Sequence, residues 1–413
     1  MIAFHLPPST TSSGHLRPLG FAKYLPRFGW GPVALSACER VYTQVDPASV
    51  ALIPEGCPVY RTFALDARRH LSIRGKYPAI LAQPDRWASW WPTAVYHGLR
   101  IIRRHKVRAI WSTYPIMTAH CIAGTLSRLT GLPWIADFRD PVASPVAAHD
   151  KMTVSTRMRC ERRILSRAAY SVFTTPGAMR SYAERYPKTY DEGRLKLIPN
   201  GFDDDDFAAL EANKACPSRR PLHLVHGGVL YPSGRNPVPF FNALARLKDS
   251  GRLSAQEVRV TLRASGSERQ YGTELHRLGL DDMVSLAPSV SYHAALAEQA
   301  QANALLLFQG SQFDQQIPAK VYEYLRIGRP IFALVGERGD TAALLRKTGG
   351  AHLVTSDSVP EIERNLMEFV HNVRSGQAPE SDPKVAACYS RQSGARSLAR
   401  LLDDTMDVNP TKN

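Results

Sequence analysis

A lysine and a glutamate stand three residues apart beside the apolar face of a short helix in Ile317-Pro318-Ala319-Lys320-Val321-Tyr322-Glu323-Tyr324-Leu325-Arg326-Ile327-Gly328-Arg329-Pro330. Pro318 suits a first helical turn, Gly328 suits its end, and "PIFALV" from Pro330 reads as a buried strand. Val321, Tyr324, Leu325 and Gly328 share one face, so the helix is expected to pack on a sheet. Lys320 and Glu323 then lie near its N-terminus, where ligands of α/β layers bind. The plain alternative is a half-exposed salt bridge.

A second group precedes it. Gly227-Gly228 close the strand "LHLVHGG" and Pro237 opens the next helix. Strand, glycine turn and helix together make a phosphate cradle, because bare N–H groups and the helix dipole face the anion. Arg235, in the loop between, has the fork geometry to grip a diphosphate through two parallel bonds. Thr11-Ser12-Ser13-Gly14 form a similar small-residue turn after the first strand, or a plain capped loop. "ADFRDP" ends another strand with Asp137, Arg139 and Asp140, a ligand position or a structural Arg–Asp pair.

Other clusters are weaker. Asp203 to Asp206 read as a turn and helix cap rather than a metal site, since no His or Glu follows at ligand spacing. Trp87, Trp90 and Trp91 precede "TAVYHGLRIIRRHKVR" with its five basic residues. That is the composition of a membrane-interface surface, or of a loop packing aromatics inward. No Gx[ST]xG elbow and no Cys–His nucleophile pattern is present, which argues against acyl transfer.

The elements that must position these residues alternate along all 413 residues. "IAFHL", "GPVALSA", "RAIWSTY", "PWIADF", "YSVFTT" and "LKLIPN" read as strands in the first half. "LHLVHGG", "VRVTLRA", "MVSLAPS", "ALLLFQG", "PIFALVG" and "AHLVTS" do so in the second, with helices between. Such alternation means parallel sheets covered on both faces. The fold class is therefore α/β, with two doubly wound Rossmann-like domains facing across a cleft. The expected limits are 1–207 for the first domain, 208–220 for a linker and 221–390 for the second. A helix within 391–413 would cross back to the first domain.

Charge is lopsided. Residues 1–200 hold 28 Lys and Arg against 12 Asp and Glu, while residues 201–413 hold 24 against 25. A basic first half attracts anionic surfaces, or simply keeps the chain soluble. No apolar run reaches the roughly 20 residues of a membrane span. The N-terminus reads as a strand rather than a signal peptide. Six scattered cysteines without a CxxC argue for free thiols in a reducing compartment.

Taken together, several segments resemble the GT-B glycosyltransferases, in particular glycosyltransferase family 4. "SSGHLRPLGFAKYLPRFGWGPVAL" resembles that family's N-terminal loop, first helix and second strand. "LTGLPWIADFRDP" resembles a frequent fifth-strand segment, and "LKLIPNGFD" the close of its first domain. "IPAKVYEYLRIGRPIFAL" resembles its donor-site helix and following strand. The resemblance implies transfer of a sugar from a nucleotide-sugar to a glycan or lipid-linked acceptor. Retention of configuration, no cofactor, no metal and no nucleic-acid partner are implied as well. It assigns donor binding to Gly14, Gly228, Arg235, Gln315, Ile317, Lys320 and Glu323, with Glu323 on the ribose and Arg235 on the diphosphate. Arg235, Lys320 and Asp140 would carry the chemistry. With the charge pattern, Arg139, Trp87, Trp90 and Trp91 fall on the acceptor or membrane side, at the cytoplasmic face. Two departures stand out: Gln315 replaces the family's frequent first Glu, and Val229 stands where many members have Arg. A nucleotide-sugar epimerase or hydrolase, or a non-catalytic binding protein of this fold, are the rival readings.

Overall fold

The computed structural model describes residues 1–9, 13–74, 76–139, 151–211, 221–355 and 357–407. Two compact units divide the chain, one of Met1–Asn200 with Arg391–Asn413, the other of Gly201–Ser390. The break thus falls at Asn200, seven residues before the seam expected from sequence. "FDDDDF" belongs to the second unit because Phe202 and Phe207 are buried in its core. Residues 212–220 of the expected linker lie outside the described residues, and its start is the end of a helix, Asp205–Glu211.

The first unit has six named strands, β1 (Ala34–Ala37), β2 (Val59–Thr62), β3 (Ile110–Thr113), β4 (Trp134–Arg139), β5 (Tyr170–Phe173) and β6 (Leu195–Leu197). All pairings are parallel, β1 with β2 and β3-β4-β5-β6 in series. Ile2 bridges both groups, pairing with Leu35 and Ser112. The apolar "IAF" start therefore fills the gap between β1 and β3. β2 escapes the sequence reading because three of its four residues are only half-buried, so "VYRT" carries no continuous apolar run.

Helices α1 (Leu16–Tyr24), α2 (Trp90–Arg104), α3 (Met117–Thr130) and α4 (Lys151–Arg167) cover this layer. The helix Arg391–Asp407 packs on α1 and buries Leu398, Leu401 and Leu402 with Phe21, Trp111, Ile135 and Ile198. Burial of each such side chain stabilises by about 1.5–3 kcal/mol.

The second unit holds β7 (Leu222–Gly227), β8 (Val258–Arg263), β9 (Val284–Ala287), β10 (Ala304–Gln309), β11 (Ile331–Val335) and β12 (Ala351–Val354). Their order is β12-β11-β10-β7-β8-β9, all parallel. The chain runs outward from β7 to β9, then returns to β10 on the other side of β7. That reversal between β7 and β10 is a topological switch point, where open α/β sheets bind ligands at the strands' carboxyl ends. Helices α5 (Asp205–Glu211), α6 (Val238–Asp249), α7 (Tyr292–Gln301) and α8 (Ala319–Ile327) are the ones that matter below.

Candidate functional site

The switch point of the second unit is where the sequence-picked residues gather. β7 ends in Gly227-Gly228, and Gly228 has φ of +106°, a conformation that disfavours other residues. A Cβ there would stand 3.0 Å from the Nζ of Lys320, so the missing side chain makes room for the amine. Lys320 lies in the first turn of α8, whose cap residue Pro318 offers no side-chain bond to the helix N–H groups. Gly328 ends α8 in the left-handed conformation, as its place in the sequence suggests.

What holds the amine is a histidine. His226 is fully buried on β7, and its Nδ1 lies 2.9 Å from the Leu306 carbonyl oxygen of β10. A carbonyl only accepts, so Nδ1 carries the proton and Nε2 is left as an acceptor. Lys320 Nζ donates to it at 3.1 Å. Burial, with the Lys320 and Arg235 charges nearby, keeps His226 neutral, its pKa well below the ordinary value. Burial, then Arg235, also lowers the Lys320 ammonium to about 7, against an opposing pull from Glu323.

Arg235 completes the group. It sits on a loop whose backbone folds back, Arg235 N donating to the Tyr231 carbonyl at 3.1 Å. Its Nε donates to Gln309 Oε1 at 3.2 Å, and its guanidinium lies over the rings of Tyr231 and Phe313. Stacking and one neutral bond orient the fork and leave both terminal nitrogens for an anion. Among the described residues, neither Lys320 nor Arg235 has a carboxylate within ion-pair distance. One turn further along α8, half-buried Glu323 accepts a bond from Tyr292 of α7 at 2.9 Å. Tyr292 also reaches Asp206 at 3.3 Å, and Asp204 pairs with Arg326 at 2.8 Å, so these acids serve packing. Gln315 is exposed on the loop before α8, and Ile317 packs against the core beside it. Val229 is exposed after the glycine turn.

The first unit sorts its charged residues differently. Asp137 is fully buried and forms a two-bond pair with Arg17, at 2.7 and 3.1 Å. The remaining Arg17 donors go to the Ile198 and Pro199 carbonyls and to Asn200. Arg17, absent from the sequence-derived candidates, is thus a lock between α1, β4 and the chain after β6. Arg139 turns away from Asp137, with φ of +60° at a register shift in β4. It donates to the carbonyls of Gly14 and Tyr114 at 2.9 and 3.2 Å. His5 lies near it, its buried Nδ1 without a partner, and burial with the Arg139 and His15 charges lowers its pKa to about 4. Asp140 and the Thr11-Ser12 part of the first turn lie outside the described residues.

The tryptophan surface needs correction. Trp90 and Trp91 belong to the first turn of α2, not to a loop before it. Trp90 is wholly buried and donates to Thr62 Oγ1 at 2.8 Å, because its ring completes the core with Phe4. Trp87 is half-buried against Phe4, under the Arg86 guanidinium. Only Trp91 of the three is exposed.

His226 and Gln309 were missed in the sequence because each ends an apolar strand. The signal was available: a polar residue at the last inward position before a glycine turn.

Residues 17–201 match the model for a glycosyl transferase 4-like domain. The match falls almost wholly within the first unit. Over both units the chain shares the GT-B fold. Sucrose-phosphate synthase from Thermosynechococcus elongatus superposes with a TM-score of 0.68 at 14% identity, covering 99% of each chain. HepE from Anabaena, in complex with UDP and glucose, gives 0.63 at 16%, covering 98% of this chain and 99% of that one. Trehalose 6-phosphate synthase from Burkholderia multivorans gives 0.63 at 12%, covering 98% of each. At these identities the overlap establishes fold. No curated protein matches the sequence.

Proposed function

We propose that this protein is a glycosyltransferase that takes its sugar from a nucleoside diphosphate donor held at the β7–β10 switch point. The observation that carries the reading is the Lys320 amine seated on Gly228, with Arg235 beside it and only neutral partners for either cation. As the bond from sugar to diphosphate breaks, negative charge grows on the leaving oxygen. Cations already in place stabilise that charge without reorganisation. Arg235 would clamp the diphosphate through its two terminal nitrogens. Lys320 and the first N–H groups of α8 would meet the oxygen next to the sugar. Glu323, oriented by Tyr292, would accept from the ribose hydroxyls, and Gln315 would offer the sugar a neutral hydrogen bond. These cations take the place a divalent metal fills in other transferases, so activity should survive chelation.

The first unit would handle the acceptor, a glycan or lipid-linked intermediate, near Gly14, His5 and Arg139. Asp140 belongs to this group by position, and anomeric configuration would be retained. HepE was determined with UDP, so UDP is the first nucleotide to try. Calorimetry with UDP, GDP and ADP tests the site. The assignment fails if none binds, or if Arg235→Ala and Lys320→Ala leave binding unchanged.

A further inference from the structure

Away from these residues, the first unit contains a cavity of about 560 Å3 bordered by α2, α3 and α4. Ligand pockets commonly run from about 300 to 1,000 Å3. Buried Trp134 and Ile164 form part of its inner wall, while Trp91 and Leu129, 45% and 60% exposed, form its outer wall. Trp91 is fixed by a bond from its Nε1 to Thr125 Oγ1 at 3.1 Å. Three exposed arginines, Arg128, Arg163 and Arg167, complete the lining. Among the described residues no acidic side chain lines the cavity, and none of the three arginines has an ion-pair partner.

Unpaired guanidiniums around an apolar chamber call for an anion that carries hydrocarbon. The fork of arginine suits a phosphate, and the chamber removes apolar surface from water. Tryptophan at the rim is the side chain that settles at a lipid–water boundary. One wall residue narrows the choice further. His120 is fully buried, and its Nδ1 lies 2.7 Å from Ser112 Oγ, which already accepts from Trp134 Nε1 at 2.7 Å. His120 Nε2 has no partner among the described residues, and with Ser112 donating to Nδ1 it carries an N–H. An ester oxygen would accept from it, and a bare hydrocarbon would not.

We propose that this cavity receives the ester region and one chain of an anionic phospholipid, with its phosphate on Arg128, Arg163 and Arg167. The site would seat the first unit on a membrane. It moves the membrane contact from Trp87 and Trp90 to the surface bearing α3, α4 and Trp91. The reading rests on the first unit alone and stands or falls separately from the donor assignment.

Cys121 and Cys160 also line the cavity, as free thiols, and serve as internal reporters. Their alkylation by a small maleimide, followed for each cysteine by peptide mass spectrometry, reads occupancy in the whole protein. Vesicles containing phosphatidylglycerol should slow both thiols several-fold and leave exposed Cys388 unchanged. Dihexanoyl phosphatidylglycerol below its micelle concentration should do the same, whereas phosphatidylcholine vesicles and inorganic phosphate should not. Combined Arg128→Glu, Arg163→Glu and Arg167→Glu, all at exposed positions, should lower partitioning roughly a hundredfold or more and remove the protection. Vesicle binding with unchanged thiol rates would overturn the cavity as the site. Protection that survives charge reversal, or that phosphatidylcholine or phosphate reproduces, would overturn the anionic lipid as occupant.

Discussion

The two units place charge at the carboxyl ends of their central strands in opposite ways. In the first, Arg17 uses its guanidinium fully, on Asp137, two carbonyls and Asn200. In the second, Lys320 and Arg235 are held by a neutral histidine, a neutral amide and aromatic faces. A cation paired with a buried carboxylate has its charge already answered and works as a fastener. A cation held only by neutral groups keeps its charge for a ligand. Residue type does not separate the two cases; the partner does.

The comparison breaks most visibly through Arg17. Arg17→Met strands the Asp137 carboxylate in the core, and the loss of a buried partner costs about 3–5 kcal/mol. Denaturant unfolding should register that loss, while the folded fraction keeps its affinity for nucleoside diphosphate. Equal stability in the variant would remove the fastener.

Arg235→Ala and Lys320→Met should do the reverse. Hydrogen bonds to charged groups contribute about 1.5–3 kcal/mol, so nucleotide affinity should fall on the order of tenfold to a hundredfold for each. Unfolding should change little, and Lys320→Met should be neutral or stabilising, because it relieves the burial of an ammonium. A large stability loss with intact binding would turn this site into a second fastener.

A smaller effect is sharper as a diagnostic. The Lys320 ammonium sits at about 7 in the free protein, and a bound diphosphate raises it. Binding then takes up a proton above pH 7, so affinity should weaken as pH rises, by at most about tenfold per unit. Lys320→Arg should flatten that dependence, since arginine stays charged throughout. Calorimetry in buffers of different ionisation enthalpy measures the proton directly. The sign for stability runs oppositely. A lysine lowered on folding costs stability below its folded pKa, and that cost is relieved as pH rises toward the unfolded value. The smallest change is expected from Tyr292→Phe, which takes from the Glu323 carboxylate one orienting hydrogen bond and removes no contact with the ligand. Affinity for a nucleoside diphosphate should drop a few-fold, and affinity for inorganic diphosphate should not move.

Much of the second unit was readable from sequence because its strands are buried on both faces. "LHLVHGG", "ALLLFQG" and "PIFALVG" announce themselves as apolar runs, and Pro318 and Gly328 bracket α8. Gly228, Arg235 and Lys320 came out together because the glycine turn and the helix start are local signals. The first unit was harder. β2 is a half-buried edge, and Trp90 beside Trp91 gave no hint of which ring faces inward until α2 fixed its phase. Arg17 and Asp137 are 120 residues apart, as are no local motif's parts, so only the fold could join them. His226 was hidden for the opposite reason: its neighbours made it look like core, and it is core, with one nitrogen turned to Lys320.

The helix Arg391–Asp407 sets an order of events during synthesis. Residues 201–390 make up the second unit without a break, so it can close as soon as it leaves the ribosome. The first unit, although translated earlier, lacks the partner for Phe21, Trp111 and Ile135 until residues beyond 390 are made. At about 5–20 residues per second, that face stays uncovered for roughly ten seconds or longer. The half made first is therefore the half finished last.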